Sequence, residues 1–238
     1  MVKRIIIANA IVYVGLILIV QRYFLPEPYF FRYLGLTPGA FIFDFFLWQP
    51  FTYMFIHSYS FFHILFNMLI LWMFGSELEL RWGSRFFLTY YLVCGAGAAI
   101  LYSFITLGYY LVTNNIAPML EPVIGASGAV YGMILAYGLV FGERTILFMF
   151  VFPMAAKYFA LILGVIELLS LLSSGYGSEV SNLCHLGGIA TGFLFLWGFT
   201  RWKNRRVKKP QRKNGRRLKL VVDNERKEDS LNGPRYWN

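Results

Sequence analysis

A serine hydroxyl becomes a useful nucleophile when a base within about 3 Å accepts its proton, and neutral imidazole suits that task near pH 7. The chain has three histidines, and two of them, His63 and His185, stand in long apolar runs where polar groups are costly. Ser127 opens another apolar run, within Gly125-Ala126-Ser127-Gly128-Ala129-Val130-Tyr131-Gly132. Asn67 follows His63 by four residues, so on a helix the two share a face. Together these residues supply what acyl transfer requires. Ser127 would be the nucleophile and His185 the base, while His63, Asn67 and the Ser127 N–H would donate to the oxyanion.

Each feature also has a plainer reading. His63 and Asn67 are the kind of polar side chains that hydrogen-bond between helices in a membrane bundle. Gly128-x-x-x-Gly132 and Gly188-x-x-x-Gly192 are small-xxx-small patterns that let helices approach closely, and Ser127 is then one more small residue. The G-x-S-x-G elbow of soluble hydrolases is not present, because Gly128 directly follows the serine. If the fourth and sixth helices pack on one another, His185 comes near Ser127, and Tyr131, one turn further on, packs against the imidazole. All four polar side chains fall at the same end of their helices. That common depth favours chemistry over packing.

The elements that must position them are membrane helices. The 238 residues are 58% hydrophobic, 19% aromatic and only 14% charged, a composition that suits a bilayer better than water. With roughly 20 apolar residues needed per span, helices are expected at Ile5–Phe24, Phe61–Glu79, Phe86–Val112, Ser127–Phe141, Ala156–Leu172 and Leu183–Trp202. The first could also be a signal peptide, but its length and lack of a small-x-small site before Pro26 favour a retained helix. Residues 25–56 combine four prolines with many aromatic rings. They are expected to form a partly embedded interfacial loop with short amphipathic helices. The expected fold is an all-α bundle of six transmembrane helices, residues 1–200, followed by a basic, disordered tail, residues 201–238.

The formal net charge of +10 belongs to that tail, which holds 14 Lys/Arg against 4 Asp/Glu. In the helical part, Lys3, Arg4, Arg81, Arg85, Arg144 and Lys157 fall on the side carrying both termini, which predicts that side to be cytoplasmic. Arg32 falls opposite with Glu27, Asp44, Glu121 and Glu179, and Arg22 is the awkward charge. The tail suits anionic lipid headgroups; no folded readout module accompanies it, so nucleic acid is not an expected partner.

The segments Gly125-Ala126-Ser127-Gly128, His185-x-x-Gly188-x-x-x-Gly192 and His63-x-x-x-Asn67 resemble the rhomboid intramembrane serine proteases. Trp48-Gln49 with Thr52 and His57 resembles that family's Trp-Arg loop, and Glu79-x-x-x-Gly83-Ser84 resembles its turn after the second helix. The resemblance runs in order over about residues 45–200. It implies a Ser127–His185 dyad, an oxyanion hole at His63 and Asn67, support from Tyr131, Gly125, Gly128 and Gly188, and no cofactor. It further implies a cavity open to the non-cytoplasmic side, transmembrane protein substrates that enter laterally, and gating by the fifth helix and the loop near Ser173–Asn182. A bacterial inner membrane is the expected location. Gln49 departs from the family's arginine and puts the placement of the loop in doubt, while Cys184 replaces a common alanine.

Other residues are read more simply. Cys94 and Cys184 have no metal-type or CxxC spacing and are expected to pack as small apolar residues. His57 is expected either to hydrate the cavity or to sit at the interface. No carboxylate is expected to orient His185. Glu167, in the fifth helix, is assigned a structural role in preference to a catalytic one. A non-catalytic client-binding relative would lack Ser127 and His185, a transporter would show more midplane charge, and a zinc protease would show HExxH.

Overall fold

In a bilayer every backbone polar group must find its partner within the protein, so apolar runs of this length close into helices. The computed structural model describes residues 1–26, 28–148, 151–174 and 180–206. Its main elements are helices at Val2–Phe24, Phe61–Trp82, Ser84–Thr113, Ser127–Val140, Ala156–Ser174 and Val180–Arg206, here the first to sixth helices. Five are long and apolar enough to cross a membrane. The fourth has only 14 residues, about 21 Å of helix against a hydrocarbon thickness of roughly 30 Å. It is therefore shorter than a full span, and Ser127 is its first residue.

The chain is an all-α bundle with one small addition. A two-stranded antiparallel ribbon, β1 (Thr145–Phe148) and β2 (Phe152–Ala155), joins the fourth and fifth helices. No element was expected there. Residues 25–56 form the short helices Tyr29–Leu34, Pro38–Phe43 and Gln49–Thr52. The sixth helix continues to Arg206, past the expected start of the tail. Glu27, Glu179, half of the predicted gating loop and residues 207–238 lie outside the described residues.

The third, fourth and sixth helices form the centre of the bundle. A Cβ on Gly188 would stand 1.9 Å from the Gly128 carbonyl oxygen, so these two helices touch backbone to backbone. Gly132 faces Cys94 and the Gly188 carbonyl. Gly192 lies against the Tyr90 hydroxyl of the third helix. The stripe thus meets two partners, the fourth helix at Gly188 and the third at Gly192. Tyr90 also donates its hydroxyl to the Gly132 carbonyl at 2.7 Å. Cys94 and Cys184 are buried and free.

A buried amide holds the embedded loop together. Gln49 is fully buried, accepts from the Thr37 N–H at 3.0 Å and donates to the Arg32 carbonyl at 2.9 Å. Trp48 and Thr52 donate to the carbonyls of Tyr33 and Leu34. An uncharged Gln49 therefore holds the loop by backbone bonds, which answers the doubt raised by the missing arginine. Leu36 and Val123 exchange two backbone hydrogen bonds, fastening this loop to the segment before Ser127. Arg22 lies 5.9 Å from the Tyr59 ring centroid, a cation–π contact that accounts for the awkward charge. At the opposite end, Gly83 adopts φ +82°, and Glu79 accepts from Ser84 Oγ and from the Val2 N–H.

Candidate active site

Ser127 and His185 come together as the close contact of Gly128 with Gly188 requires: Ser127 Oγ lies 2.7 Å from His185 Nε2. The hydroxyl stands at the start of the fourth helix, where the first N–H groups lack intrahelical partners and the helix dipole is positive. The turn before it depends on Gly125, which has φ +115° and donates its N–H to the Tyr53 carbonyl at 3.0 Å. A side chain there would be strained, and its Cβ would stand 2.7 Å from His63 Nε2.

Tyr131 stacks on the His185 ring, with centroids 4.2 Å apart and planes 13° from parallel. The face-to-face contact limits rotation of the imidazole out of its plane. Gly128 also admits the Tyr53 hydroxyl, which donates to the Gly95 carbonyl at 2.8 Å and lies 3.8 Å from Cys184 Sγ. Burial holds the Tyr53 phenol well above its ordinary pKa, so it acts here as a neutral donor.

His63 reaches the site from the second helix. Its Nδ1 accepts from the Ser58 N–H at 3.3 Å and lies 3.1 Å from Ser58 Oγ. A backbone donor at Nδ1 assigns the neutral ring's proton to Nε2, the nitrogen facing Gly125. Asn67 lies on the same face, one turn further along, and is buried. One of its amide N–H groups donates to the His63 carbonyl at 2.8 Å, leaving the other for a ligand.

His57 is fully buried, with its ring 5.1 Å from that of His63. Burial, reinforced by His63, lowers its pKa to about 4. One expectation is overturned, and it concerns Glu167. A carboxylate does face His185, because Glu167 Oε2 lies 3.1 Å from His185 Nδ1. Its other oxygen accepts from the Tyr131 hydroxyl. Oε2 and Nδ1 are buried and off the linear direction of a hydrogen bond, and neither has another hydrogen-bond partner. Sequence spacing carries only a weak signal of this: Glu167 is the one carboxylate in the fifth helix, and an intramembrane carboxylate needs donors.

An apolar cavity of about 560 Å³ lies between the fourth, fifth and sixth helices and meets the site at Tyr131. No cluster of three or more His, Cys, Asp or Glu suited to a metal occurs among the described residues.

The rhomboid domain model matches residues 45–202. The chain is 29% identical over 138 residues to Rhomboid protein 1, mitochondrial, of Saccharomyces cerevisiae, and 30% identical over 154 residues to RHOMBOID-like protein 1 of Arabidopsis thaliana. It is 31% identical over 136 residues to Rhomboid protease GluP of Bacillus subtilis. These alignments cover 58%, 64% and 56% of the chain, but only 38%, 34% and 22% of the relatives' own lengths.

Proposed function

This chain belongs to the rhomboid family, and from that premise we propose that it is an intramembrane serine endopeptidase acting on transmembrane helices. The observation that carries the reading is the 2.7 Å approach of His185 Nε2 to Ser127 Oγ, a nucleophile and base within proton-transfer distance. The protease name of the Bacillus subtilis relative supports the reaction class.

As the Ser127 oxygen bonds to the substrate carbonyl carbon, its proton passes to His185 Nε2 and the carbonyl electron pair moves onto oxygen. The first N–H groups of the fourth helix and His63 Nε2–H point toward the charge that forms, with the spare Asn67 N–H as a further donor. When the tetrahedral adduct collapses, the C–N bond breaks and His185 returns the proton to the leaving amine. Water then repeats the sequence on the acyl-enzyme: His185 takes its proton, the Ser127–carbonyl bond breaks, and the serine regains its hydrogen. No metal or cofactor enters these steps.

Ser127 and His185 stand on apolar helices of the bundle, which supports a substrate that lies within the membrane. Lys3, Arg4, Arg81, Arg85, Arg144 and Lys157 support a cytoplasmic location for both termini. Residues 1–200 then form the protease domain, and residues 201–238 a basic extension toward anionic headgroups. A bacterial inner membrane is consistent with this arrangement. A yeast relative is named as mitochondrial.

Purified chain in detergent, or in proteoliposomes, is expected to cleave a single-pass transmembrane substrate and to react with a fluorophosphonate serine probe. Ser127→Ala is expected to abolish both. Cleavage that persists undiminished in the alanine variant would overturn the assignment.

A further inference from the structure

The protease reading calls for a nucleophile and a base. The structure holds a third polar group that this chemistry does not require, and at a cost, since a carboxylate within a membrane helix is expensive unless donors meet it. Glu167 has two such donors in reach. Tyr131 O–H meets Oε1, and His185 Nδ1 lies 3.1 Å from Oε2. The residue is 7% exposed. Tyr131 thus holds both partners, stacking on the imidazole with its ring and binding the carboxylate with its hydroxyl.

Resting on that reading, we infer that Glu167 is a positioning residue that holds His185 in the productive tautomer, converting the Ser127–His185 pair into a serine–histidine–glutamate relay. A neutral imidazole carries one proton. If that proton sits on Nε2, the ring cannot accept from Ser127. An acceptor at Nδ1 places it there and leaves the Nε2 lone pair facing the hydroxyl. When Nε2 takes the serine proton, the carboxylate also offsets the positive charge on the ring; it stays deprotonated throughout, and no atom is exchanged with it. The approach between Oε2 and Nδ1 is bent, and catalytic hydrogen bonds often tighten only as substrate binds.

The position of Glu167 adds a consequence. It is carried on the fifth helix, which is the least enclosed of the five long spans and packs over the apolar cavity beside Tyr131. His185 and Tyr131 stand on the sixth and fourth helices. The relay is therefore complete only while the fifth helix is seated, and the orientation of the base follows that helix.

The test pairs kinetics with a direct view of the proton. Glu167→Leu removes the acceptor at similar size, and in a bilayer it keeps the apolar packing. Its kcat is expected to fall about 100-fold or more, with KM changed by no more than about threefold, given that spoiling the tautomer in a serine triad costs up to about 10⁴. Glu167→Gln, which retains an oxygen acceptor, is expected to lose less. In full-length protein labelled with ¹⁵N-histidine, His185 is expected to show its proton on Nδ1, and Glu167→Leu to shift the ring toward a mixture of tautomers. The His185 signals are identified by their disappearance in His185→Asn. Unchanged kcat and tautomer in Glu167→Leu would overturn the inference, as would a kcat loss with an unchanged tautomer and a lowered Tm. Failure of the wild-type protein to cleave or to react with the serine probe would refute the protease reading instead, and the NMR comparison needs no activity to decide the Glu167 inference.

Discussion

Gly188 and Gly128 meet backbone to backbone, so closely that a Cβ on Gly188 would stand 1.9 Å from the Gly128 carbonyl oxygen. Ser127 precedes one of these glycines, and His185 lies one helical turn before the other. The spacing between the reacting groups is therefore set by a contact that no side chain could occupy.

Gly188→Ala is accordingly expected to damage both stability and activity. Alanine gains about 1 kcal/mol in helix propensity, but a clash with rigid backbone forces the helices apart, at a cost of roughly 1–3 kcal/mol or more. Thermal denaturation in detergent should show a lower Tm, and cleavage should fall further than the folded fraction does. Gly198→Ala, where a new Cβ meets nothing within 4 Å, is the control and should leave both measurements unchanged or slightly raise Tm.

His63→Ala is expected to lower kcat by roughly 10²- to 10³-fold, the range for removing one oxyanion donor, because its Nε2–H faces the serine turn. Asn67→Ala should slow the reaction by roughly 10- to 1000-fold, toward the lower end, since one of its N–H groups already serves the His63 carbonyl. KM should change little in either case. Steady-state kinetics on a transmembrane substrate separates the two quantities, and a loss confined to KM would count against oxyanion roles.

His57 gives the fold a pH dependence with a definite sign. Its folded pKa is about 4, against 6.5 for the unperturbed imidazole. Between these values the unfolded chain binds more protons than the folded one, so stability rises with pH across that interval. The contribution is fully present above about 6.5 and is lost as pH falls toward 4. Tm measured from neutral pH down to about pH 5 should decline, and His57→Phe should flatten that decline.

Gln49→Leu should loosen the embedded loop. The change strands the Thr37 N–H and the Arg32 carbonyl in the loop, at about 1–3 kcal/mol for each buried group left unpaired. Faster proteolysis between residues 34 and 48, together with a lower Tm, would report it. Protection equal to wild type would show that the loop is held by other bonds.

Much of this organisation was legible in the chain itself. Apolar run length marked the helices to within a few residues at most ends, and prolines among aromatic rings marked the interfacial loop. The ribbon at Thr145–Ala155 escaped because short apolar stretches read equally well as strand, helix end or loop. The Gln49 clamp escaped because its partners are backbone groups twelve and seventeen residues away, and backbone groups leave no mark in a sequence.

For the polar constellation the division is sharper. The sequence by itself determined that Ser127, His185, His63 and Asn67 lie at one end of their helices, because helical rise converts position in the chain into depth. It could not determine which helix faces which, since periodicity defines a face without naming its partner. Tertiary packing decided that the glycine stripe of the sixth helix serves two neighbours, that His57 is sealed in the interior, and that Glu167 faces His185. Each depends on how segments distant in the chain pack against one another. For Ser127 and His185 that packing is set where the backbones approach most closely, at Gly128 and Gly188.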